Sequence, residues 1–293
     1  MARLKIENLN KTYPNGVHAL NDVSMEISEG MFGLLGPNGA GKSSLMRTLA
    51  TLQEADSGSA FLNDIDILKQ PGELRKMLGY LPQEFGVYPR ITATQLLDHL
   101  AILKGINNTK ERKELVDYLL NKVNLYDVRN KNVKGFSGGM KQRVGIAQAL
   151  IGNPQLIIVD EPTAGLDPGE RNRFHNLLAD VASEVIIILS THIVDDVREL
   201  CSNMAIMNDG KLIYKGSPQT VLDELQGQVW QKSIERSELD QYKASFTVIS
   251  DKMVAGKPLI HVLSSTDPGE GFSSVEPNLE DVFFTKINAS KTV

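Results

Sequence analysis

The sequence predicts an α/β fold built on a mostly parallel sheet, and three observations predict it. Met31 to Leu35, Gln155 to Asp160 and Val185 to Leu189 are short, almost wholly apolar runs, as expected of parallel strands covered on both faces. Each run gives way at once to polar or Gly-rich residues, and open α/β sheets bind ligands at the carboxyl ends of their strands. Between about 90 and 150 the pattern turns helical, so a helical subdomain is inserted into a strand-rich chain.

Taken in order, Leu4 to Leu9 alternates like a strand, and Lys11-Thr12-Tyr13-Pro14-Asn15-Gly16 is rich in turn residues. Val17 to Ile27 reads as two more short strands, which gives an N-terminal antiparallel β-subdomain. After Met31 to Leu35 comes Gly36-Pro37-Asn38-Gly39-Ala40-Gly41-Lys42-Ser43, followed by Ser44 to Leu52 as a helix. The octapeptide fits G-x-x-x-x-G-K-[ST], the phosphate-binding loop, in its required strand–loop–helix setting. Its glycines let backbone N–H groups close on phosphate oxygens, and the helix start adds a partial positive charge. Lys42 is placed to reach the β- and γ-phosphates, and the Ser43 hydroxyl to meet Mg²⁺. The core is thus expected to be a P-loop NTPase.

Ser59 to Leu62 is a strand, and Asn63 to Leu68 a short loop and strand. Arg75 to Leu81 reads as a strand leading to Gln83, whose side chain can face a ligand bound at that edge. Thr92-Ala93-Thr94-Gln95 has the capping-box pattern and opens a helix with Leu96, Leu97, Leu100, Ala101 and Leu103 as its apolar positions. Glu111 to Val123 is a second helix; a third follows Phe136-Ser137-Gly138-Gly139-Met140 and runs from Lys141 to Leu150. Ser137-Gly138-Gly139 at a helix start is a second anion site.

Gln155 to Asp160 ends on two carboxylates, Asp160 and Glu161, at the edge where the loop would hold phosphate. Asp160 is placed to hold Mg²⁺ through water, because the ion keeps much of its hydration shell. Glu161 is placed to orient and activate the attacking water. His192 follows Val185 to Leu189 at the same edge. Tyr13 is an aromatic in a loop, open to local packing or to stacking on a base. Ala205 to Met207 and Lys211 to Tyr214 form a hairpin around Asn208-Asp209-Gly210, and Gly216-Ser217-Pro218 begins a helix through Leu225. A domain boundary is placed there, giving 1–225 and 226–293. The second part contains short strands at Gln228 to Ile234, Phe246 to Ser250 and Pro258 to Leu263, and a helix within Pro277 to Ile287. It has no convergent acids or histidines and reads as a small α+β module with a structural or regulatory role.

The 293 residues, 41% apolar, suffice for one large domain with a small one, or for two domains. A formal charge of −5 gives no general pull toward nucleic acid, and none is expected as partner. The single cysteine, Cys201, cannot form an intrachain disulfide, which suits a reducing compartment. The N-terminus lacks the apolar core of a signal peptide. No run approaches about 18 apolar residues, so nothing is expected to span a bilayer. A soluble or peripheral protein is expected.

Together these motifs resemble the ATP-binding-cassette (ABC) ATPases, from Leu4 to about Leu225. Phe136-Ser137-Gly138-Gly139-Met140 is similar to that family's Leu-Ser-Gly-Gly-Gln signature, with Phe for Leu and Met for Gln. The resemblance implies that Tyr13 stacks on adenine, Gln83 senses Mg²⁺ and the permease, Asp167 faces a partner, and His192 is the γ-phosphate switch. It also implies ATP and Mg²⁺ as ligands. One nucleotide needs one cradle, so two anion sites per chain fit a head-to-tail dimer. ATP on one copy's loop would be capped by Ser137, Gly138 and Gly139 of the other, and hydrolysis would open the pair.

The first expectation is the energy-supplying subunit of a membrane transporter, peripheral at the cytoplasmic face through a separate permease. Glu84-Phe85-Gly86-Val87-Tyr88-Pro89 offers aromatic and apolar residues for a permease helix, or for ordinary loop packing. Glu276 to Phe283 looks like the C-terminal module of cassettes paired with ABC-2-type exporters, which favours export. The alternative is a soluble ABC ATPase acting on ribosomes or DNA, although such relatives usually carry two cassettes or a long coiled-coil or zinc insertion. A kinase or GTPase is disfavoured by the Ser137 signature.

Overall fold

The computed structural model describes residues 2–83, 86, 90–163, 165–182 and 185–290. Its central sheet has six strands in the order β10-β9-β3-β8-β7-β6. These are β3 (Gly30–Leu35), β6 (Leu78–Leu81), β7 (Leu156–Asp160), β8 (Ile186–Thr191), β9 (Asn203–Asn208) and β10 (Lys211–Gly216). All neighbours run parallel except β10, which pairs antiparallel with β9 at one edge. Burial on both faces explains the uninterrupted apolar runs. Met31, Leu35, Ile157, Val159, Ile187 and Leu189 enter one hydrophobic core. The alternate residues Phe32, Leu34, Leu156, Ile158, Ile186 and Ile188 enter a second core on the opposite face.

That second core is closed by an antiparallel sheet, β2-β1-β4-β5, and by helix α1. Its strands are β1 (Arg3–Thr12), β2 (His18–Ser28), β4 (Ser57–Leu62) and β5 (Ile65–Asp66). The two short strands expected over Val17 to Ile27 are one strand, carried through a left-handed residue at Asp22 (φ 54°) opposite irregular pairing around Leu9 to Lys11. Helix α1 spans Lys42–Leu49, beginning earlier than expected because the loop feeds directly into its first turn. Arg75 and Lys76 belong not to a strand but to helix α2 (Pro71–Lys76), where Pro71 suits a first helical turn.

The inserted block contains α3 (Ala93–Leu103), α4 (Thr109–Lys122) and α5 (Gly138–Ala149). Thr92 and Gln95 form the expected reciprocal cap. At the end of α3, Lys104 Nζ donates to the carbonyls of Arg75 at 2.7 Å and Leu78 at 2.6 Å, fastening the block to the approach of β6. Helices α6 (Pro168–Val181) and α7 (Val194–Leu200), which flank β8 in the chain, are among those that the sequence patterns do not reveal. The hairpin at Asp209-Gly210 is present, with φ of 47° and 76° as a type I′ turn requires. Ser217 caps α8 (Pro218–Glu224).

Beyond α8 lies a four-stranded antiparallel sheet in the order β12-β13-β11-β14. Its strands are β11 (Val229–Ser233), β12 (Val248–Val254), β13 (Lys257–Leu263) and β14 (Ser273–Ser274), joined by α9 (Leu239–Ser245) and α10 (Leu279–Ser290). One face of the sheet carries its own core of Ile234, Tyr242, Ile260, Val262 and Phe272. Val229 and Ile249 join Leu279, Val282, Phe283 and Ile287 of α10 in the core that also contains Leu189 and Val197. Lys286 pairs with Glu224 at 2.8 Å, and Asn208 Nδ2 donates to Ser290 Oγ at 3.0 Å, so α10 is tied to the cassette side by polar contacts as well. No helix among the described residues is long and apolar enough to cross a membrane.

Candidate active site

Parallel pairing brings the sequence motifs to one edge. Leu35 stands opposite Thr191, Asp160 opposite Ser190, and Leu81 opposite Val159, so the segments leaving β3, β8, β7 and β6 emerge together. A cavity of about 270 Å³ opens there, lined by Tyr13, Pro37, Asn38, Gly39, Ala40, Gly41, Lys42, Ser43, Ser44, Gln83 and Glu161.

Within the loop, Gly41 has φ of 102°, and a Cβ there would come within 2.2 Å of the Ala19 carbonyl, so glycine is required twice over. Gly41 is also the N-cap of α1. No side chain caps the first turn and no acid lies in it, which leaves its N–H groups available to an anion. Lys42 is 6% exposed and donates to the Gly36 carbonyl at 2.7 Å and the Pro37 carbonyl at 3.3 Å. Its Nζ lies 3.6 Å from Glu161 Oε1. Burial lowers the ammonium pKa from its ordinary value, and the charges of Glu161 and Asp160 work against that shift. Tyr13 is half-buried, its hydroxyl 3.0 Å from both Ser44 Oγ and Gln53 Oε1. Gln83 is exposed at the cavity wall.

Glu161 leaves β7 with φ of 49°, a sparsely populated conformation for a residue other than glycine. Its N–H still donates to the Ser190 carbonyl at 2.8 Å, which fixes the turn to the end of β8. The turn aims the carboxylate at two cationic or polar partners: Lys42, and His192 Nδ1 at 2.6 Å from Oε2. A carboxylate can only accept, so Nδ1 carries the hydrogen. His192 does not line the cavity of the loop; it borders a neighbouring hollow of about 430 Å³ shared with Lys252 and Glu280.

Asp160 is buried at the end of β7, and burial pushes its carboxyl above the ordinary carboxylate range. The nearby Ser190 and Ser43 hydroxyls oppose that shift, yet Asp160 Oδ1 and Ser190 Oγ have no hydrogen-bond partner among the described residues. An unsatisfied buried carboxylate oxygen beside the Ser43 hydroxyl is an all-oxygen donor set, the kind Mg²⁺ takes. These residues therefore fit the ion.

Ser137, Gly138 and Gly139 are not at this cavity. They open α5, with Ser137 and Gly138 exposed and Ser137 Oγ accepting from the Met140 N–H at 3.2 Å. A Cβ on Gly139 would meet the Glu170 carboxylate at 2.3 Å, so this glycine is held by packing against α6. Asp167 caps α6 by accepting from the Glu170 N–H at 2.9 Å. The segment Glu84 to Pro89, Gly86 apart, lies outside the described residues.

The structure adds a cluster that the sequence patterns did not single out. Asp196, fully buried on α7, accepts from Arg171 Nε at 2.8 Å, His175 Nε2 at 2.9 Å and Thr163 Oγ1 at 2.6 Å. Burial would raise its pKa, but the hydrogen bonds from His175 and Thr163 and the charge of Arg171 hold it below the ordinary value. Its one sequence signal is a pair of matching spacings, Arg171/His175 at i,i+4 and Asp196/Glu199 at i,i+3, too common to be read alone.

Comparison with known proteins identifies the family and the fold. A family model described as ABC transporter matches residues 20–164. The ABC transporter ATP-binding protein NatA of Bacillus subtilis (strain 168) is 37% identical over 210 residues, 71% of this chain and 85% of that protein. The probable multidrug ABC transporter ATP-binding protein YbhF of Escherichia coli (strain K12) is 32% identical over 274 residues, 89% of this chain. The chain spans only 47% of YbhF, about half its length. The methionine import ATP-binding protein MetN of Clostridioides difficile (strain 630) is 36% identical over 227 residues, 74% of this chain and 70% of that one. Among solved structures, the dimeric post-hydrolysis state of the ATP-binding cassette MJ0796, bound to ADP and Pi, matches with a TM-score of 0.67 at 26% identity, over 73% of this chain and 98% of that one. The chain therefore belongs to the ABC transporter family, as one of its ATP-binding cassettes, a class of ATPases that bind ATP with Mg²⁺.

Proposed function

We propose that two copies of this chain bind ATP between them, head to tail, and hydrolyse it to drive a separate membrane permease, in the manner of an ABC-2-type exporter. The observation that carries the reading is the meeting of Lys42 and Glu161 at 3.6 Å beside a helix start whose first turn no side chain caps. In this reading Tyr13 stacks on adenine, and Gly36 to Ser44 wrap the phosphates. Lys42 exchanges its loop carbonyls for the β- and γ-phosphate oxygens. Glu161 accepts a hydrogen bond from the attacking water and orients it, while His192 holds the Glu161 carboxylate through Nδ1 and faces the γ-phosphate. Ser43, Gln83 and, through water, Asp160 would hold Mg²⁺, and the ion would supply positive charge against the phosphate oxygens. Ser137, Gly138 and Gly139 cap the partner's nucleotide, with Asp167 at the same junction. Positioning and charge stabilisation do the catalytic work.

Within this reading the cassette is 1–225, with the helical subdomain at about 90–150 inserted in it, and 226–293 is an accessory module. The module's separate core of Ile234, Tyr242, Ile260, Val262 and Phe272 supports that division. Export is supported by the resemblance of Glu276 to Phe283 to the C-terminal module of cassettes paired with ABC-2-type exporters. The working place is the cytoplasmic face of the membrane, held there by the permease.

Glu161→Gln is the direct test of the site. It should bind ATP, lose about 10²–10⁴-fold in turnover, and accumulate as a dimer in light scattering. Near-normal turnover removes Glu161 from its role. Direction is tested by co-expression with candidate permeases: ATP-driven uptake of trial substrates into inside-out vesicles means export, and uptake only into right-side-out vesicles means import.

A further inference from the structure

Behind the acid pair lies a carboxylate that the proposed reaction does not use. The register of β7 and β8 ends with the Glu161 N–H to Ser190 carbonyl hydrogen bond, so beyond it the two segments no longer pair with each other. Among the described residues, two hydrogen-bonded connections join them past that point. One is the Glu161–His192 contact itself. The other runs through Asp196, whose Oδ2 accepts from Thr163 Oγ1 at 2.6 Å and from Thr191 Oγ1 at 3.3 Å. Thr163 lies two residues after Glu161, and Thr191 immediately precedes His192. Both threonines are buried, 3% and 0% exposed, so each hydroxyl's one hydrogen is committed to the same carboxylate oxygen. The other oxygen is fixed from α6 by Arg171 and His175.

We propose that Asp196 is a positioning residue for ATP hydrolysis: by accepting from Thr163 and Thr191 together, it sets the separation of the segments that carry Glu161 and His192. The proposal rests on the roles given to those two residues under the proposed function. Asp196 touches neither of them. It acts through the two threonines, and its own position is over-determined by two cationic or polar donors on a third element. A carboxylate that must orient a water molecule is sensitive to such placement, since a shift of about 1 Å costs on the order of 10²-fold in rate. Because Asp167 is the N-cap of α6, the same anchor also ties the pair to the segment assigned to the partner side.

The test uses the full chain and isosteric changes. Thr163→Val keeps the branched shape, removes the hydroxyl, and leaves Asp196 paired with Arg171 and His175. It should lower kcat for ATP about tenfold or more while nucleotide affinity and KM stay within about twofold. Asp196→Asn should fall at least as far, and adding Thr163→Val to it should lower kcat no further, because both act on one link. Val221→Ala, a buried truncation on α8 away from the site, serves as the stability control and should keep kcat within about twofold despite a lower Tm. If Thr163→Val has wild-type kcat, or if kcat follows Tm equally in all variants, the proposal is overturned. A wild-type chain that does not hydrolyse ATP overturns the functional reading and this proposal with it; active wild type beside fully active Thr163→Val overturns this proposal alone.

Discussion

Asp160 and Glu161 are adjacent and carry the same charge, yet the backbone sends them to different surroundings. Asp160 completes a strand buried on both faces, with one carboxylate oxygen unsatisfied. Glu161 turns out through its left-handed backbone to meet Lys42 and His192. Burial raises the Asp160 pKa above the ordinary carboxylate range, so the folded state holds this proton more tightly than the unfolded chain. The linked stability is present in full below the unfolded value and is lost as pH rises through the folded one. At neutral pH an ionised Asp160 thus weighs against the nucleotide-free fold, as expected of a group kept for a cation. Asp160→Asn should raise Tm of the nucleotide-free chain at neutral pH and flatten its gain in stability on acidification. Its Mg²⁺ requirement for ATP turnover should rise about 10–100-fold, as for an outer-shell ligand. Thermal melts across pH and a Mg²⁺ titration of ATPase rate check both halves. A lower Tm together with an unchanged Mg²⁺ requirement would contradict them. Cys201 behaves in the opposite way to a functional group: burial, then the charge of Asp196, pushes its thiol up to about 12, so it remains a protonated packing residue.

At the scale of elements, legibility follows how each element buries itself. The strands β3, β7 and β8 were readable because both faces are covered, so apart from glycines in β3 and the polar residues that end β7 and β8 they are apolar. The loop, the acid pair and His192 were readable because each sits directly after such a strand. Helix α6 was not, since Pro168–Val181 buries Phe174, Leu177 and Leu178 within a mostly charged and polar stretch. Helix α7 buries only Val197 and the polar Asp196, so no apolar stripe announces it. The Asp196 cluster was illegible for the same reason: its meaning lies in contacts between three elements, not in a periodicity of one. The terminal helix was legible as a helix, but its place was not. Leu279, Val282, Phe283 and Ile287 fill the core shared with β8 and α7, so the tail is packed onto the cassette rather than appended to it. Leu279 is 1% exposed, and Leu279→Ala should cost about 2–5 kcal/mol, read from denaturant titration. Because the core is continuous, cassette and tail should still unfold in one transition. A separate early transition for the tail, with the main midpoint unmoved, would show that α10 does not stabilise the cassette.

At the scale of the whole molecule, the proposed reaction calls on two helix starts that a single chain does not bring together. The start of α1 lines the cavity, whereas the start of α5 is exposed and turned to other neighbours. A head-to-tail pair resolves this, because each α5 start then meets the nucleotide held by the other copy. Ser137 allows that geometry to be tested without disturbing the chain's own fold. Its hydroxyl is the N-cap of α5, and aspartate caps a helix as well as serine does, so Ser137→Asp should leave Tm almost unchanged. What it adds is a negative charge facing a triphosphate across the interface. Two like unit charges at about 4 Å repel by about 4 kcal/mol at an effective dielectric constant near 20, roughly a thousandfold in affinity at each site. Placed in the Glu161→Gln background, which should trap the closed pair, Ser137→Asp should leave ATP binding to the single chain within about twofold, because the α1 cradle is untouched. It should abolish the ATP-dependent dimer in light scattering. If the dimer persists at unchanged ATP concentration, Ser137 does not face the partner's nucleotide; if monomeric affinity for ATP falls with it, the two anion sites belong to one copy and the head-to-tail arrangement is wrong.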